Sequence, residues 1–257
     1  MTNRIHELFQ RKKEKVLSVY FTAGFPQLQD TLPILQGLEE AGVDIVELGF
    51  PFSDPLADGP VIQESSQKAI ANGMNLKFLF EQLTELRRFV NIPVIMMGYL
   101  NPVLQYGEDA FIEKCAEIGI DGVIIPDMPL DYYQSMWKEK CRVHNLANIL
   151  LITPQTSENR IREIDENTTG FIYMVSSNGI TGSNKNLNMQ SDYFKRIGSM
   201  KLRNPILAGF GIHDQHSFEN ASNFSNGAII GSAFIRHLVT SGISKTSINQ
   251  FVQNIRP

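Results

Sequence analysis

Cysteine is scarce in this chain: Cys115 and Cys141 are the only two in 257 residues, and they lack the C-x-x-C spacing of metal and redox sites. Both fall in segments of helical period, so reduced, buried thiols are expected rather than a disulfide. Basic residues are outnumbered, 23 Lys and Arg against 27 Asp and Glu, and the net charge of -4 argues against nucleic-acid or anionic-membrane binding. No run approaches the ~20 apolar residues of a membrane span, and Met1 to Lys15 is polar and charged without an apolar core, so the cytoplasm is the expected location. No Gly-Lys-Ser or Gly-Lys-Thr follows any glycine loop, and Gly209-x-Gly211 has Asp214 where a dinucleotide fingerprint has its third glycine. Nicotinamide and nucleoside triphosphates are therefore not expected. Lysine is missing from the predicted strand ends, with Lys185 in a predicted loop, which disfavours Schiff-base chemistry. His213 and His216 lie three apart with no carboxylate at ligand spacing, so no metal is expected.

What is present is a run of short apolar segments alternating with helical ones. Strands are predicted at Val16 to Phe21, Val43 to Leu48, Val94 to Gly98, Gly122 to Pro126, Ile149 to Thr153, Gly170 to Val175, Pro205 to Ala208 and Ala228 to Ile230. Helical patterns lie between them, including Pro60 to Ala71, Leu76 to Val90, Asp131 to Val143, Asp192 to Met200 and Asp214 to Asn223, after an N-terminal charged helix at Ile5 to Lys15. Eight all-parallel strands have no edge when closed, so an α/β fold of the (β/α)8 TIM-barrel type with extra helices, one domain over residues 1–257, is favoured over an open doubly wound sheet. A weak internal repeat fits stacked βα units: Ala41-Gly42-Val43-Asp44-Ile45-Val46 and Ile118-Gly119-Ile120-Asp121-Gly122-Val123 share a helix end, a glycine, an aspartate and a strand.

In such a barrel function collects where strands end. Glu47 sits inside a strand that is apolar on both faces, where a carboxylate is costly unless it is used. Beyond Gly49 and Pro51 a loop presents Ser53, Asp54 and Asp58, and an acid on a strand facing an acid on the next loop suggests general acid/base chemistry. The plainer reading is a turn built on Asp54-Pro55 and Asp58-Gly59; Glu47 favours the chemical one. Three late loops carry glycines beside strand ends: Gly179 to Gly182, Gly209 to Gly211, and Gly231 with Ser232. Exposed backbone N–H groups and a helix N-terminus at that place suit a phosphate, although any one of these glycines could simply terminate a strand.

With those residues in view, the chain resembles the tryptophan synthase alpha chain family along its full length. The resemblance is carried by Glu47-Leu48-Gly49 with Pro51 to Pro60, Asn101-Pro102 with Tyr106-Gly107, Pro126 to Pro129, Gly179 to Gly182, Gly209 to Ile212, and Gly231 to Ala233. It implies a lyase of tryptophan biosynthesis that splits indole-3-glycerol phosphate into indole and glyceraldehyde 3-phosphate. Such a chain has no cofactor of its own and is bound in an alpha2-beta2 heterotetramer to a pyridoxal-phosphate beta chain. It further implies Glu47 as the proton shuttle and Asp58 as acceptor of the indole N–H. Gly182, Gly211, Gly231 and Ser232 would hold the phosphate, and Tyr20, Leu100, Tyr173 and Phe210 would line the indole slot. Ser176 to Gln190 resembles the family's closing lid, with Thr181 reaching Asp58. Two departures stand out: some members have Arg where Ser177 stands, and Ser183 to Asn188 is rich in Asn.

Two further loops, Leu100 to Gly107 and Pro126 to Leu130, are rich in Pro and apolar side chains, including Pro102, Val103, Leu104, Tyr106, Met128, Pro129 and Leu130, which fits a buried partner surface. Folding back onto their own barrel is the alternative. Two other functions stay open on sequence alone: a free-standing indole-releasing lyase, and a ligand-sensing regulatory subunit with little activity of its own.

Overall fold

The computed structural model describes residues 3–55, 58–175, 184–209 and 211–257, with residues 184–191 described by their backbone alone. Its strands are β1 (Val16–Thr22), β2 (Ile45–Gly49), β3 (Val94–Met97), β4 (Gly122–Ile124), β5 (Ala147–Asn148), β6 (Leu150–Ile152), β7 (Ile172–Val175), β8 (Ile206–Gly209) and β9 (Gly227–Ile230). All pair in parallel, in the order β5-β4-β3-β2-β1-β9-β8-β7-β6. The expected fifth strand is split in two. Its halves are separated only by Ile149, whose N–H still donates to the Val123 carbonyl at 3.0 Å, so the two ends of the sheet meet in one stave. The fold is a (β/α)8 TIM barrel with extra helices.

Alternation along the strands separates two cores. Val16, Ile45, Ile95, Ile124, Ile149, Leu207 and Ile229 fill the barrel interior. Val19, Phe21, Val46, Leu48, Met96 and Val123 face outward and meet the helices through Leu35, Leu38, Leu79, Phe111, Phe234 and Leu238. The floor of the barrel is plugged by the N-terminal helix Arg4–Arg11, started by Asn3, whose side chain accepts the Ile5 N–H at 2.9 Å. Its one apolar stripe puts Ile5 and Leu8 into the inner cluster and Phe9 against Phe171, ring centroids 6.2 Å apart. Gly122 makes room for this plug, because a Cβ there would stand 2.9 Å from Ile149 and 3.2 Å from Ile5.

The short repeat is a structural one. Gly42 and Gly119 both end helices at positive φ, 83° and 82°. Asp44 then accepts the Leu17 N–H of the neighbouring strand at 2.9 Å and pairs with Lys12 and Arg256, while Asp121 accepts the Val94 N–H at 2.9 Å and pairs with Arg87 and Arg4. Asp121 is the more buried, 3% exposed against 14% for Asp44. Truncating it strands Arg87 as an uncompensated charge, so Asp121→Ala is expected to lose ~3–5 kcal/mol in urea unfolding, with a smaller loss for Asp44→Ala.

Several boundaries depart from the sequence expectation. Leu76 to Val90 is two helices, Leu76–Gln82 and Leu86–Phe89, because the Thr84 hydroxyl bonds back to the carbonyls of Phe80 and Glu81 between them. Leu100 to Gly107 is not a loop: Leu100–Tyr106 is helical, with Pro102 in the first turn where no intrahelical N–H is needed. The helix expected from Asp192 begins at Asn184, which places Lys185 on a helix rather than in a loop. Among the described residues no helix is long and apolar enough to cross a membrane.

Candidate active site

β1 and β2 set Glu47 into the inner wall. In the parallel register Tyr20 pairs with Glu47 and Ser18 with Ile45, so Ser18, Tyr20 and Glu47 share the inward face. Glu47 is fully buried, its Oε1 accepts the Ser18 hydroxyl at 2.8 Å, and its Oε2 has no hydrogen-bond partner. Burial pushes the Glu47 carboxyl up to about 8 from 4.5, against a smaller opposing effect of the Ser18 hydroxyl. The group is therefore neutral at pH 7 and near the point of ionising.

Asp58 stands on the loop after β2, just before the helix Pro60–Ala71, and its carbonyl holds the Gln63 side chain at 2.8 Å. Burial raises its carboxyl above the usual range, and a hydrogen bond with Tyr99 works in the opposite direction. The small cleft beside it is lined by Tyr20, Phe52, Ser66, Met97 and Tyr99. Tyr20 and Tyr173 lie within electrostatic reach of both acids. Burial raises both phenols, and Asp58 and Glu47 raise them further when ionised, so both stay neutral. Glycine makes their positions possible: a Cβ on Gly49 would collide with the Tyr20 hydroxyl, and one on Gly209 with the Tyr173 ring.

The neighbouring loop acid behaves differently. Asp54 is exposed and takes the Ser53 hydroxyl at 2.5 Å, a turn contact of the kind the dipeptide Asp54-Pro55 suggests.

On the other side of β1, β9 is the next strand, and Gly209 of β8 pairs with its Ile229, which brings the ends of β8 and β9 side by side. Gly211 takes positive φ, 78°, and Gly231 is the N-cap of the helix Ser232–Ser241. That helix has no side-chain cap, whereas those starting after Asn75, Ser157, Asp214 and Ser244 are capped by those side chains. Its first N–H groups are thus without a capping side chain, beside the Ser232 hydroxyl, in the place expected for an anion. His213 donates from Nδ1 to the Gly211 carbonyl at 2.7 Å, and among the described residues no His, Cys, Asp and Glu cluster could hold a metal. Cys115 and Cys141 are both buried and free.

Thr181, Gly182 and Phe210, with Ser176 to Ser183 of the expected lid, lie outside the described residues. Leu100 begins its helix with its N–H held by Asp127 at 2.9 Å and packs on the outer core, while Met97 lines the cleft at Asp58. Ser18, Ser66, Met97 and Tyr99 were not singled out by sequence. Ser18 had a visible signal, a lone hydroxyl two residues before Tyr20 on the same strand face. The two apolar segments divide: Val103, Met128 and Leu130 are buried in their own chain, which removes them from any partner surface, whereas Leu104 and Pro129 are exposed.

Comparison with known proteins shows the family. The family model described as tryptophan synthase alpha chain matches residues 7–256. The chain belongs to the tryptophan synthase alpha chain family. It is 55% identical to the tryptophan synthase alpha chain of Flavobacterium psychrophilum over 98% of this chain and 99% of that one, and 54% identical to that of Flavobacterium johnsoniae over 99% and 100%. Among solved structures, tryptophan synthase subunit alpha from Legionella pneumophila matches with TM-score 0.86 at 31% identity, covering 99% of this chain and 100% of that one. The tryptophan synthase complex from Pyrococcus furiosus matches with TM-score 0.82 at 32% identity over 95% and 98%. As a tryptophan synthase alpha chain it is a lyase subunit of tryptophan biosynthesis that cleaves indole-3-glycerol phosphate.

Proposed function

We propose that Glu47 and Asp58 carry out this cleavage, in one barrel domain, and that the substrate phosphate rests on Gly182, Gly211, Gly231 and Ser232. The observation that carries the reading is Glu47 itself: a fully buried carboxyl with one unbonded oxygen, held neutral at pH 7 by its surroundings. A neutral acid can protonate indole C3, drawing the electron pair of the ring double bond and leaving a positive indolenine. The bond from C3 to the side chain then breaks, its electrons return to the ring, and the adjacent hydroxyl becomes the aldehyde as its proton goes back to Glu47. Indole and glyceraldehyde 3-phosphate leave, and the enzyme is unchanged. Asp58 accepts the ring N–H and offsets the positive charge of the indolenine. Tyr20, Leu100, Tyr173 and Phe210 line the indole slot in this reading, with Met97 beside Asp58, and Thr181 closes on Asp58 from the lid. The ring is its own electron sink, so the chemistry calls for no cofactor in this chain.

The partner in this reading is a pyridoxal-phosphate beta chain in an alpha2-beta2 tetramer in the cytoplasm, docked beside the barrel mouth at Leu104 and Pro129, which stay exposed. Indole release from indole-3-glycerol phosphate, measured with and without a beta chain, tests the whole reading. A slow rate alone that rises in the complex is expected; a high rate alone indicates the free-standing lyase, and no rate in either condition the regulatory subunit. Pro129→Asp is expected to leave the isolated chain folded, weaken the complex and lower its activation. Unchanged affinity and activation would move the docking site elsewhere.

A further inference from the structure

Glu47 is held by one oxygen. Its Oε1 takes the Ser18 hydroxyl at 2.8 Å across the β1 and β2 pair, both residues fully buried, while Oε2 is buried without a partner. Ser18 is unusual for its place. Its pairing partners on the inner wall are Ile45 and Ile229, and Val16 precedes it on the same face, so a hydroxyl there is costly unless it is used.

We propose that Ser18 is a positioning residue of the cleavage reaction: its hydroxyl pins Oε1 and leaves Oε2 as the oxygen that carries the exchanged proton. This rests on the reading of Glu47 given above and goes beyond it by giving the two oxygens different work. While Glu47 is neutral, Oε1 accepts the Ser18 hydroxyl, so the acidic proton sits on Oε2. When that proton moves to indole C3, the carboxylate is left in a dry wall. The Ser18 hydrogen bond then becomes charge-assisted and strengthens, stabilising the state in which the ring is protonated. The same contact limits how far burial raises the carboxyl. The other titratable groups that reach Glu47 are the phenols of Tyr20 and Tyr173. Variants at Ser18 alter neither of them.

The test uses the full chain with Ser18→Ala and Ser18→Thr, following turnover against pH and the Glu47 carboxyl stretch by infrared difference against Glu47→Gln. Ser18→Ala is expected to lower kcat ~10-fold with KM within about twofold. The Glu47 titration and the alkaline limb of the rate profile are both expected to move up by ~1 pH unit, since the lost bond favoured the ionised form. Ser18→Thr, which keeps a hydroxyl, restores most of both. An unmoved Glu47 titration in Ser18→Ala overturns the proposal, whether or not kcat falls, because a packing defect would lower kcat without touching the titration. The two readings fail separately: turnover surviving in Glu47→Gln removes Glu47 from the chemistry, while the infrared titration still reports whether Ser18 controls it.

Discussion

Glu47→Gln is expected to lose indole release by ~10²- to 10⁴-fold, the usual contribution of a positioned acid or base, while substrate binding is retained. The amide matches the carboxyl in shape and can still accept the Ser18 hydroxyl through its oxygen, but it has no proton to exchange. Near-normal turnover would take Glu47 out of the mechanism. The same variant is expected to be the more stable protein at high pH. The Glu47 carboxyl is raised from 4.5 to about 8 in the folded chain, so between these values the native state keeps a proton that the unfolded chain gives up. Stability therefore falls as pH rises through this window and is lowest above it, by an amount on the order of several kcal/mol. Glutamine has nothing to ionise and removes the loss. Melting temperatures of both proteins from pH 4 to pH 9 check this: the curves are expected to meet at the acid end and separate with the variant above. A parallel pair would mean that Glu47 ionises without penalty.

Gly231→Asp is expected to raise the KM for indole-3-glycerol phosphate by ~10- to 100-fold with a smaller change in kcat, because a carboxylate at the uncapped helix start would occupy and repel the phosphate site. This position separates charge from strain. Gly231 has φ of -120°, which any residue adopts, and a Cβ there would meet Tyr20 at 3.4 Å, an ordinary contact. Gly231→Ala should then be nearly silent. Gly211 is a poorer place for the experiment, since its φ of 78° would strain any side chain. Inhibition by glycerol 3-phosphate provides the second reading, and unchanged KM and inhibition in a folded Gly231→Asp chain would place the phosphate elsewhere.

The barrel was legible because its strands are apolar on both faces and its helices end at glycines, signals that are local and strong. Glu47 was legible for the same reason, as a charge in a segment that should contain none. Ser18 was not singled out, because its importance depends on which residue of β1 lies across from which residue of β2, and parallel register is set by packing around the whole barrel. Tyr99 was missed likewise: nothing local ties it to Asp58, which the chain brings to it from the preceding loop. The helix Leu100–Tyr106 was obscured by Pro102, whose usual meaning is a break but which is harmless in a first turn. The apolar character of Val103, Met128 and Leu130 was visible, but composition alone does not separate a residue waiting for a partner from one already packed on its own barrel.

The plug of Ile5, Leu8 and Phe9 closes the reaction chamber from below. Nothing can pass down the axis of the barrel, so two products of unlike character, an apolar bicycle and a charged triose, have to share the opening through which their parent came in.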